Sequence, residues 1–439
     1  MDTPSFNRLG LAQPLLDALA EKGYSEPSPI QAAAIPILLE GRDLLACAQT
    51  GTGKTASFAL PALNATSRIG KKPRPGEIRT LILTPTRELA VQVADSFKGY
   101  GSKMPFRVGL VHGGVSQHPQ VRALKRGVDV LVATPGRLLD LDEQGHVDYS
   151  KINMFVLDEA DRMLDMGFVE DIRQIAQHIP EERQTVMFSA TMAPAITKLA
   201  GTLLRDPEEI RIAPDLTTAE RVEQQLFYVK PNDRTSLLLS LLDEREDDDG
   251  LSIIFSKTRH HAEKLGKFLY REGYEADSIH GGKSQNARQR ILNRFKDGKT
   301  RILIATDVAA RGIDVKNIKL VINFDLPMEA ENYVHRIGRT ARAGDSGLAL
   351  SFCGGNDGGL LKDIHKFIKS DIPVNEEHEY HCGETADKVG RFLQRGKGGS
   401  GSGGRGRRGP RNRGRRPEGG YQKKRSFRRN KSRSSHRSS

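Results

Sequence analysis

The sequence predicts an α/β protein with two lobes built on mostly parallel sheets, followed by a disordered basic tail. From Arg42 onwards, short apolar runs alternate with helical patterns, and the alternation resets after the polar stretch Arg205–Arg221. Continuous apolar strands separated by helices indicate parallel sheets that are covered on both faces. Past about Gly396 no hydrophobic periodicity remains and Gly, Arg and Ser dominate, so this segment is expected to be disordered.

The length and the charge distribution set the expected domain plan. The 439 residues suffice for two domains and an appendage. We expect a first lobe over 1–210, a linker over 211–220, a second lobe over 221–375, and an extension with an Arg/Gly-rich tail over 376–439. The net charge is +13, and the segment from Gly396 to the end holds 16 basic side chains and one acidic side chain. The tail therefore carries all of the excess charge, which favours a nucleic-acid partner.

Apolar runs define the strands of both lobes. The predicted strands are Asp43–Cys47, Thr80–Leu83, Val108–Val111, Val128–Ala133, Met154–Asp158 and Thr185–Ser189, then Ser252–Phe255, Ala276–His280, Arg301–Ala305, Leu320–Asn323 and Leu348–Phe352. Segments with helical spacing, such as Thr55–Ser67 and Arg87–Tyr100, lie between them. Polar motifs follow many of these strands directly. Because ligands bind at the carboxyl ends of parallel strands, we expect these motifs to form the functional site along that edge of the sheets.

Cysteine usage and hydropathy indicate the compartment. Cys47, Cys353 and Cys382 lie far apart without Cys-x-x-Cys spacing, which argues against disulfides and structural zinc and fits a reducing compartment. The N-terminus shows no signal-peptide pattern, and no apolar run approaches the roughly 20 residues that span a bilayer. We therefore expect a cytoplasmic protein with no membrane partner.

The strongest functional signal is a glycine-rich loop, Ala48–Thr55, followed about a hundred residues later by the acidic motif Asp158–Asp161. A loop that ends in Gly-Lys-Thr offers backbone N–H groups and a lysine to phosphates, and a hydroxyl to Mg²⁺. An acidic pair at the end of a buried strand supplies metal retention and water activation. An acid-rich helix N-terminus is the structural alternative for Asp158–Asp161. Together, in this order, the two motifs indicate a nucleotide triphosphatase.

From about Phe6 to Ile372 the chain resembles the DEAD-box RNA helicases of helicase superfamily two. The matching motifs, in family order, are Gly23–Gln31, Ala48–Thr55, Pro85–Ala90, Gly113-Gly114, Thr134–Leu138, Asp158–Asp161, Ser189–Thr191, Gln285-x-x-Arg288, Ala305–Asp314 and His335–Gly344. The wording of His280–Gln285 is most similar to the bacterial RhlE branch. The resemblance implies two tandem RecA-like lobes, ATP and Mg²⁺ as cofactors, and RNA-dependent ATP hydrolysis that unwinds or remodels short RNA duplexes and ribonucleoproteins.

For the ATP site, the resemblance assigns roles to first-lobe residues. Gln31 would read the adenine edge and Phe6 would stack on the base, with a plain core position as the alternative for Phe6. The phosphate cradle would consist of Gln49, Thr50, Gly51, Thr52, Gly53, Lys54 and Thr55. Thr55 and Asp158 would hold Mg²⁺, and Glu159 would orient and deprotonate the attacking water.

The second lobe is expected to complete that site. By resemblance, Arg339 and Arg342 are arginine fingers. Gly312 would belong to the ATP site, and Asp314 would touch the ribose or help to position the fingers. Coupling between ATP and RNA would involve Asp161, Ser189, Thr191, His335 and Arg336. The hydroxyls of Ser189 and Thr191 would bond to the acidic motif and to His335. A solvated basic helix face is the alternative for the arginines, above all for Arg336. Because the fingers come from the second lobe, hydrolysis would require closure of the lobes.

RNA is expected to lie across both lobes. The positions that match RNA contacts in the family are Pro85, Thr86, Arg87, Gly113, Gly114, Thr134, Pro135, Gly136, Arg137, Gln285, Arg288 and Thr306. Contacts with the sugar–phosphate backbone and 2′-hydroxyls would favour RNA without reading its sequence. Helix capping and a surface charge are the alternatives for Thr134 and Arg137. Single-stranded RNA and short duplexes are the expected ligands, and ribosomal particles or RNA-degradation machinery are candidate partners.

The chain departs from the commonest family pattern at three positions, and two alternative functions remain open. Ser28 replaces the usual Thr but keeps the hydroxyl, while Ala341 and Ala48 stand where Gly is commoner. A DNA helicase or translocase and an ATP-locked RNA clamp are the alternative functions. We expect the tail, 396–439, to bind RNA electrostatically and hold it near the lobes, with a solubilising role as the alternative.

Overall fold

The computed structural model describes residues 5–48, 52–212, 222–245, 250–310, 315, 317–340 and 347–394. Two sheets, in which every strand pair is parallel, are each covered by helices, so the expectation of two tandem RecA-like lobes is confirmed. The basic tail lies outside the described residues. Within the described ranges, no helix is long and apolar enough to cross a membrane.

The first lobe begins with a short 3-10 helix, Phe6–Arg8, and carries a seven-stranded sheet. Its strands are β1 (Leu44–Cys47), β2 (Ile78–Leu83), β3 (Val108–Val111), β4 (Val128–Ala133), β5 (Met154–Leu157), β6 (Gln184–Ser189) and β7 (Glu208–Arg211). Its helices are α1 (Gln13–Glu21), α2 (Pro29–Leu39), α3 (Lys54–Ile69), α4 (Arg87–Tyr100), α5 (His118–Arg126), α6 (Pro135–Glu143), α7 (Ala160–Asp165), α8 (Val169–His178) and α9 (Pro194–Leu203). The strand order is β3-β4-β2-β5-β6-β1-β7.

The second lobe carries a six-stranded sheet with the order β10-β11-β9-β12-β13-β8. Its strands are β8 (Val222–Tyr228), β9 (Leu251–Phe255), β10 (Ala276–Ile279), β11 (Ile302–Ala305), β12 (Ile318–Asn323) and β13 (Gly347–Cys353). Its helices are α10 (Arg234–Asp243), α11 (Arg259–Arg271), α12 (Gln285–Lys296), α13 (Asp307–Ala310), α14 (Ala330–Ile337), α15 (Gly358–Ile368) and α16 (Gly383–Gln394).

Two edge strands were missed by the sequence analysis. The strand β7 lies in the polar stretch Arg205–Arg221 and pairs with β1, and β8 pairs with β13. Each presents polar side chains to solvent; in β7 the one buried residue is Ile210. Charged and amide residues interrupt both strands, at Glu208 and Glu209 in β7 and at Glu223–Gln225 in β8, so neither has the continuous apolar run that marks the interior strands.

The segment after α15 continues the second lobe. Leu226 donates its N–H to the Pro373 carbonyl (2.8 Å) and accepts the N–H of Asn375 (2.9 Å), so this segment covers the free edge of β8. The helix α16 then packs on α15 and β8, and its Val389 is buried in the core of the lobe. Residues 376–394 were expected to belong to the extension that carries the tail, but they fold against the second lobe.

The parallel sheets bring the predicted motifs to their carboxyl edges. In the first lobe β1, β2, β4, β5 and β6 lead into the phosphate loop, Pro85, Thr134, Asp158 and Ser189. In the second lobe β11 leads into Thr306. Buried apolar clusters lie on both faces of each sheet and fix these strand ends in place.

Candidate ATP and nucleic-acid site

The start of α2 holds the phosphate loop. Gln31 donates from Nε2 to the Gly53 carbonyl (3.1 Å), while its Oε1 accepts the N–H of Ser28 (2.9 Å). The Ser28 hydroxyl donates to the Thr52 carbonyl at 2.7 Å, so the serine that replaces the usual threonine supplies a hydrogen bond to the loop. Gly53 has a left-handed backbone (φ +91°), and a Cβ there would overlap the Gln31 amide. The loop therefore needs glycine at this point.

The adenine contacts stay predictions. The Phe6 ring is buried in the first lobe's core cluster, in line with its structural alternative. The Gln31 amide is engaged on both sides by protein groups, although its second N–H and second lone pair remain for a ligand. Gln49, Thr50 and Gly51 lie outside the described residues.

Lys54 and Asp158 form a buried pair of unsatisfied charges. Lys54 is 6 % exposed, and its Nζ has no hydrogen-bond partner among the described residues. Asp158 is also buried, and its Oδ1 lacks a partner within the same part of the chain. Burial and then the charge of Glu159 raise the pKa of Asp158, while Lys54 lowers it. Because buried charged groups normally have partners, this arrangement favours a ligand that carries phosphate and a cation.

The oxygen donors of Asp158 and Thr55 fit a Mg²⁺ ion that is also bound by substrate phosphates. Asp158 offers one unpartnered carboxylate oxygen, and Thr55, half-buried in the first turn of α3, offers a hydroxyl. Within the described ranges, no group of three or more His, Cys, Asp or Glu side chains could form an all-protein metal site. Mg²⁺ is usually bound by one or two carboxylates together with substrate phosphates and water, so these residues suit it.

Glu159 adopts a left-handed backbone (φ 57°, ψ 52°) immediately before α7. Such a conformation costs of order 1–3 kcal/mol in a non-glycine residue and is concentrated at functional sites. The Glu159 carboxylate accepts a hydrogen bond from Arg162 Nη1 at 2.6 Å, and both side chains are buried. Arg162 was not singled out from the sequence, although its i,i+3 spacing from Glu159 could have indicated the contact.

A backbone contact joins the ends of β5 and β6. Asp161 Oδ2 accepts the N–H of Ala190 at 3.1 Å, and burial raises the pKa of Asp161. The Ser189 hydroxyl donates to the Thr191 carbonyl (2.7 Å) and accepts the Thr191 N–H (3.2 Å). From the sequence, the hydroxyls of Ser189 and Thr191 were expected to make this link. In the structure the N–H of the residue between them makes the bond to the acidic motif.

Arg336 is an internal support of the second lobe. It is 2 % exposed and donates to both carboxylate oxygens of Asp307 (2.6 and 2.8 Å) and to Asn323 Oδ1 (3.0 Å). Its guanidinium carbon lies 4.9 Å from the centroid of the Phe255 ring. The alternative for Arg336, a solvated basic helix face, is therefore wrong. Helical spacing alone does not show whether a side chain is buried, and Arg336 is buried.

The two lobes meet next to these arginines. Arg339 is buried and donates from Nε to the His335 carbonyl at 3.3 Å. A cavity of about 10 Å³ is lined by Arg162 of the first lobe and by second-lobe residues that include His335 and Arg339. Across the same seam, burial and then Asp161 raise the pKa of Glu331 to about 7. Arg342, Gly312 and Asp314 lie outside the described residues.

The predicted RNA positions of the first lobe lie at one edge. Thr86 accepts the N–H of Leu89 (3.2 Å) and so caps α4, which begins behind the buried Pro85. The Arg87 guanidinium fits beside Gly113 and Gly114, where a Cβ on Gly114 would overlap it.

The start of α6 and the end of β11 supply the other predicted RNA positions. Thr134 is the N-cap residue of α6 but makes no side-chain capping bond, so the capping alternative is not realised. Pro135 is buried, and Gly136 borders open space. Arg137 pairs with Asp140 at 3.0 Å. Thr306 is half-buried at the end of β11.

Gln285 and Arg288 contact the first lobe. Gln285 Nε2 donates to Glu88 Oε1 at 2.8 Å, and Arg288 Nη2 lies 3.1 Å from Glu88 Oε2. Glu88 is 3 % exposed. Both residues were assigned to RNA from the sequence, and the structure places them against the opposite lobe, with Gln285 Oε1 buried and unpartnered among the described residues. Glu88 was not predicted from the sequence, because an acid in the first turn of a helix is ordinarily explained by a favourable interaction with the helix dipole.

Comparison with known proteins matches the chain to two family models. The model described as DEAD/DEAH box helicase matches residues 28–199, and the helicase conserved C-terminal domain matches residues 233–344. The ATP-dependent RNA helicase DeaD of Escherichia coli is 46 % identical over 85 % of this chain, which spans 58 % of that relative's length. The RNA helicase CrhR of Synechocystis is 44 % identical over 85 % of this chain and 74 % of its own.

Solved structures with the same fold differ in how well they superpose. Saccharomyces cerevisiae Dbp5 bound to RNA and ADP BeF3 is 31 % identical and matches with a TM-score of 0.76 over 89 % of this chain and all of its own. A Dbp5 variant bound to Nup159, Gle1, IP6 and ADP is 29 % identical and matches with a TM-score of 0.58 over 88 % of this chain and all of its own.

Proposed function

The chain belongs to the DEAD-box family of ATP-dependent RNA helicases, and from that premise we propose that it is an RNA-dependent ATPase that unwinds or remodels short RNA duplexes and ribonucleoproteins. Because the chain spans little more than half of its DeaD relatives, its activity and ligands are argued from its own site. The observation that carries the proposal is the buried, unpartnered Lys54 ammonium beside the Asp158 carboxylate at the carboxyl edge of the first lobe.

The residues of the first lobe divide the work on ATP. Lys54 Nζ would neutralise the β- and γ-phosphates, and its burial makes that interaction stronger than in water. Gln31 and Ser28 hold the phosphate loop in shape before ATP arrives. Glu159, held by Arg162, would orient the attacking water and accept its proton.

Mg²⁺, held by Asp158 and Thr55 with the phosphates, would neutralise charge that develops on the phosphate oxygens. Arg339 enters from the second lobe and would stabilise the same charge, which makes closure a condition for hydrolysis. By family resemblance Arg342 would do the same.

The arrangement of the lobes supports an ATP- and RNA-bound working form. The same yeast Dbp5 variant matches this chain with a TM-score of 0.76 when it is bound to RNA and ADP BeF3 and of 0.58 when it is bound to Nup159, Gle1, IP6 and ADP, at nearly equal coverage. The contact of Glu88 with Gln285 and Arg288 joins the lobes beside the predicted RNA edge. A ligand that binds both lobes stabilises this form by its differential affinity for it.

The RNA edge has the chemistry of backbone recognition. Arg87 and the neighbouring Gly113-Gly114 offer a cation and accessible backbone, and Gly136 leaves open space at the start of α6. Such contacts bind RNA with little sequence preference.

The compartment, the pathway and the role of the tail are proposed from other features of the chain. We propose a cytoplasmic setting because the three cysteines are unpaired, which suits a reducing compartment. Ribosome assembly, RNA turnover and the corresponding partners are proposed from the resemblance to the RhlE branch, which the named relatives do not address. Binding of RNA by the tail is proposed from its charge.

The test is steady-state ATP hydrolysis with no nucleic acid, with single-stranded RNA and with DNA of matched sequence. We expect stimulation by RNA, and loss of hydrolysis in Glu159→Gln with retained ATP-dependent RNA binding. Equal stimulation by DNA would favour a translocase. Little hydrolysis in all three conditions, together with tight ATP-dependent RNA binding, would favour a clamp.

A further inference from the structure

Arg162 of α7 is a buried arginine with unfinished hydrogen bonding. It is 3 % exposed, and its Nη1 donates to the Glu159 carboxylate at 2.6 Å. Its Nη2 is also buried, with no hydrogen-bond partner within the described ranges. A guanidinium carries five N–H donors, and leaving one of its nitrogens buried and unpartnered is costly. The side chain is therefore placed for a second contact besides Glu159.

That second contact can come from the opposite lobe. Arg162 lines a cavity of about 10 Å³ whose other walls include Asp307, Asn332, His335 and Arg339 of the second lobe. The volume is close to the lower limit for one water molecule, and the walls supply polar partners. Asp307 has acceptor capacity beyond its two bonds from Arg336, since each carboxylate oxygen has two lone pairs.

We propose that Arg162 is a positioning residue for ATP hydrolysis. One of its nitrogens holds the Glu159 carboxylate, and the other is bonded, through a water in this cavity, to Asp307 when the lobes are closed. This inference rests on the proposed function, in which Glu159 activates the attacking water. Closure would then fix the water-activating carboxylate at the same time as it brings Arg339 to the site.

The backbone conformation of Glu159 makes its contact with Arg162 important. Glu159 is in the left-handed region, so its side chain leaves the path that a helical residue would follow, and Arg162 holds its far end. A misplacement of a reacting group by about 1 Å can cost roughly 100-fold in rate. An arginine anchored at one nitrogen would leave Glu159 more freedom than an arginine anchored at both.

A matched control is present in the same lobe. Arg173 pairs with Glu170 at the same i,i+3 spacing (2.5 Å), but on the surface, with 36 % and 80 % of the side chains exposed. Comparison of Arg162→Gln, Arg162→Lys and Arg173→Gln therefore shows whether an effect comes from the buried location of Arg162 at the seam or from its ion pair with a glutamate alone. The lysine variant keeps a cation for Glu159 but has no second nitrogen for the seam.

The experiment measures kcat and the KM for ATP at saturating RNA, together with the thermal unfolding midpoint. We expect Arg162→Gln to lower kcat about ten- to a hundredfold with the KM within about threefold of the wild type. Arg162→Lys should recover the unfolding midpoint while its kcat stays at least about tenfold low. Arg173→Gln should match the wild type in all three quantities.

If Arg162→Lys recovers kcat as well as the unfolding midpoint, the inference is overturned, because pairing with Glu159 would then be the whole role of Arg162. A raised KM with unchanged kcat in Arg162→Gln would also overturn it. A wild-type protein without RNA-stimulated hydrolysis would instead overturn the proposed function, and this inference with it.

Discussion

The contact between Glu88 and the second lobe should control how readily the lobes close. In Glu88→Gln, Arg288 loses its charged partner while a side chain of nearly the same shape remains. Removal of one member of a buried ion pair costs about 3–5 kcal/mol in general. The Arg288 side chain is 12 % exposed and regains water when the lobes separate, so we take a value just below that range, about 2–3 kcal/mol, against the closed form. This corresponds to about a 30- to 150-fold loss in the closing equilibrium.

The assay is the affinity for RNA in the presence of a non-hydrolysable ATP analogue, since this affinity includes the free energy of closure. Glu88→Gln should weaken it by about the factor above while leaving the unfolding midpoint of the isolated chain nearly unchanged. A double-mutant cycle with Arg288→Gln should give a coupling energy of about 1–3 kcal/mol.

Glu170→Gln removes an acid from a surface pair, which contributes at most about 1 kcal/mol, and should leave RNA affinity unaltered. If Glu88→Gln binds RNA within threefold of the wild type under these conditions, then the seam contact does not contribute to closure and the reasoning fails.

Three further predictions follow from single side chains. Gln31→Ala should raise the KM for ATP about five- to tenfold, because the loop loses the bond to the Gly53 carbonyl, worth about 1 kcal/mol or more; ATP titration of the hydrolysis rate measures it. Arg336→Ala should lower the free energy of unfolding by about 3–5 kcal/mol in urea titration, because the Asp307 carboxylate loses its bidentate partner. The pKa of Asp325 is about 2: burial raises it, but hydrogen bonds and nearby cations outweigh burial. The Asp325 carboxylate therefore stabilises the fold above pH 4, by about 2 kcal/mol, and this contribution disappears as the pH falls from 4 to 2. Asp325→Asn should lose it at pH 7 and show a flatter acid limb; an unchanged acid limb would contradict the assignment.

The interior of the fold was predictable from sequence because its strands are continuous apolar runs. All six strands predicted for the first lobe and all five predicted for the second are present, each within about two residues of the expected bounds. The edge strands β7 and β8 were not predicted, since charged and amide residues interrupt their apolar pattern, whereas the edge strands β3 and β10 were predicted. The helix α16 was not predicted either, although Ala386, Val389 and Leu393 recur there at helical spacing.

The candidate site also contains residues that could be predicted from the sequence and residues that could not. The family motifs identified the residues that would touch ATP and RNA, because each has a chemistry tied to phosphate or ribose. The supporting residues Glu88 and Arg162 were not identified, since an acid at a helix start and a base one turn later have ordinary local explanations. Their partners lie across the seam or at its edge, and that information is not local in sequence.

Unsatisfied polar atoms distinguish supporting residues from ligand-facing ones more sharply than the motifs do. Arg336 belongs to a motif, yet all three guanidinium nitrogens are bonded within the second lobe, so it has a structural role. Of the twelve buried side-chain polar atoms without a partner among the described residues, six lie in or beside the candidate site. They are Lys54 Nζ, Asp158 Oδ1, Asp161 Oδ1, Arg162 Nη2, Gln285 Oε1 and Arg288 Nε. Because a folded chain seldom tolerates such atoms without a ligand or water, their concentration at one edge and one seam indicates that ATP, RNA and lobe closure complete the hydrogen bonding that the chain leaves open.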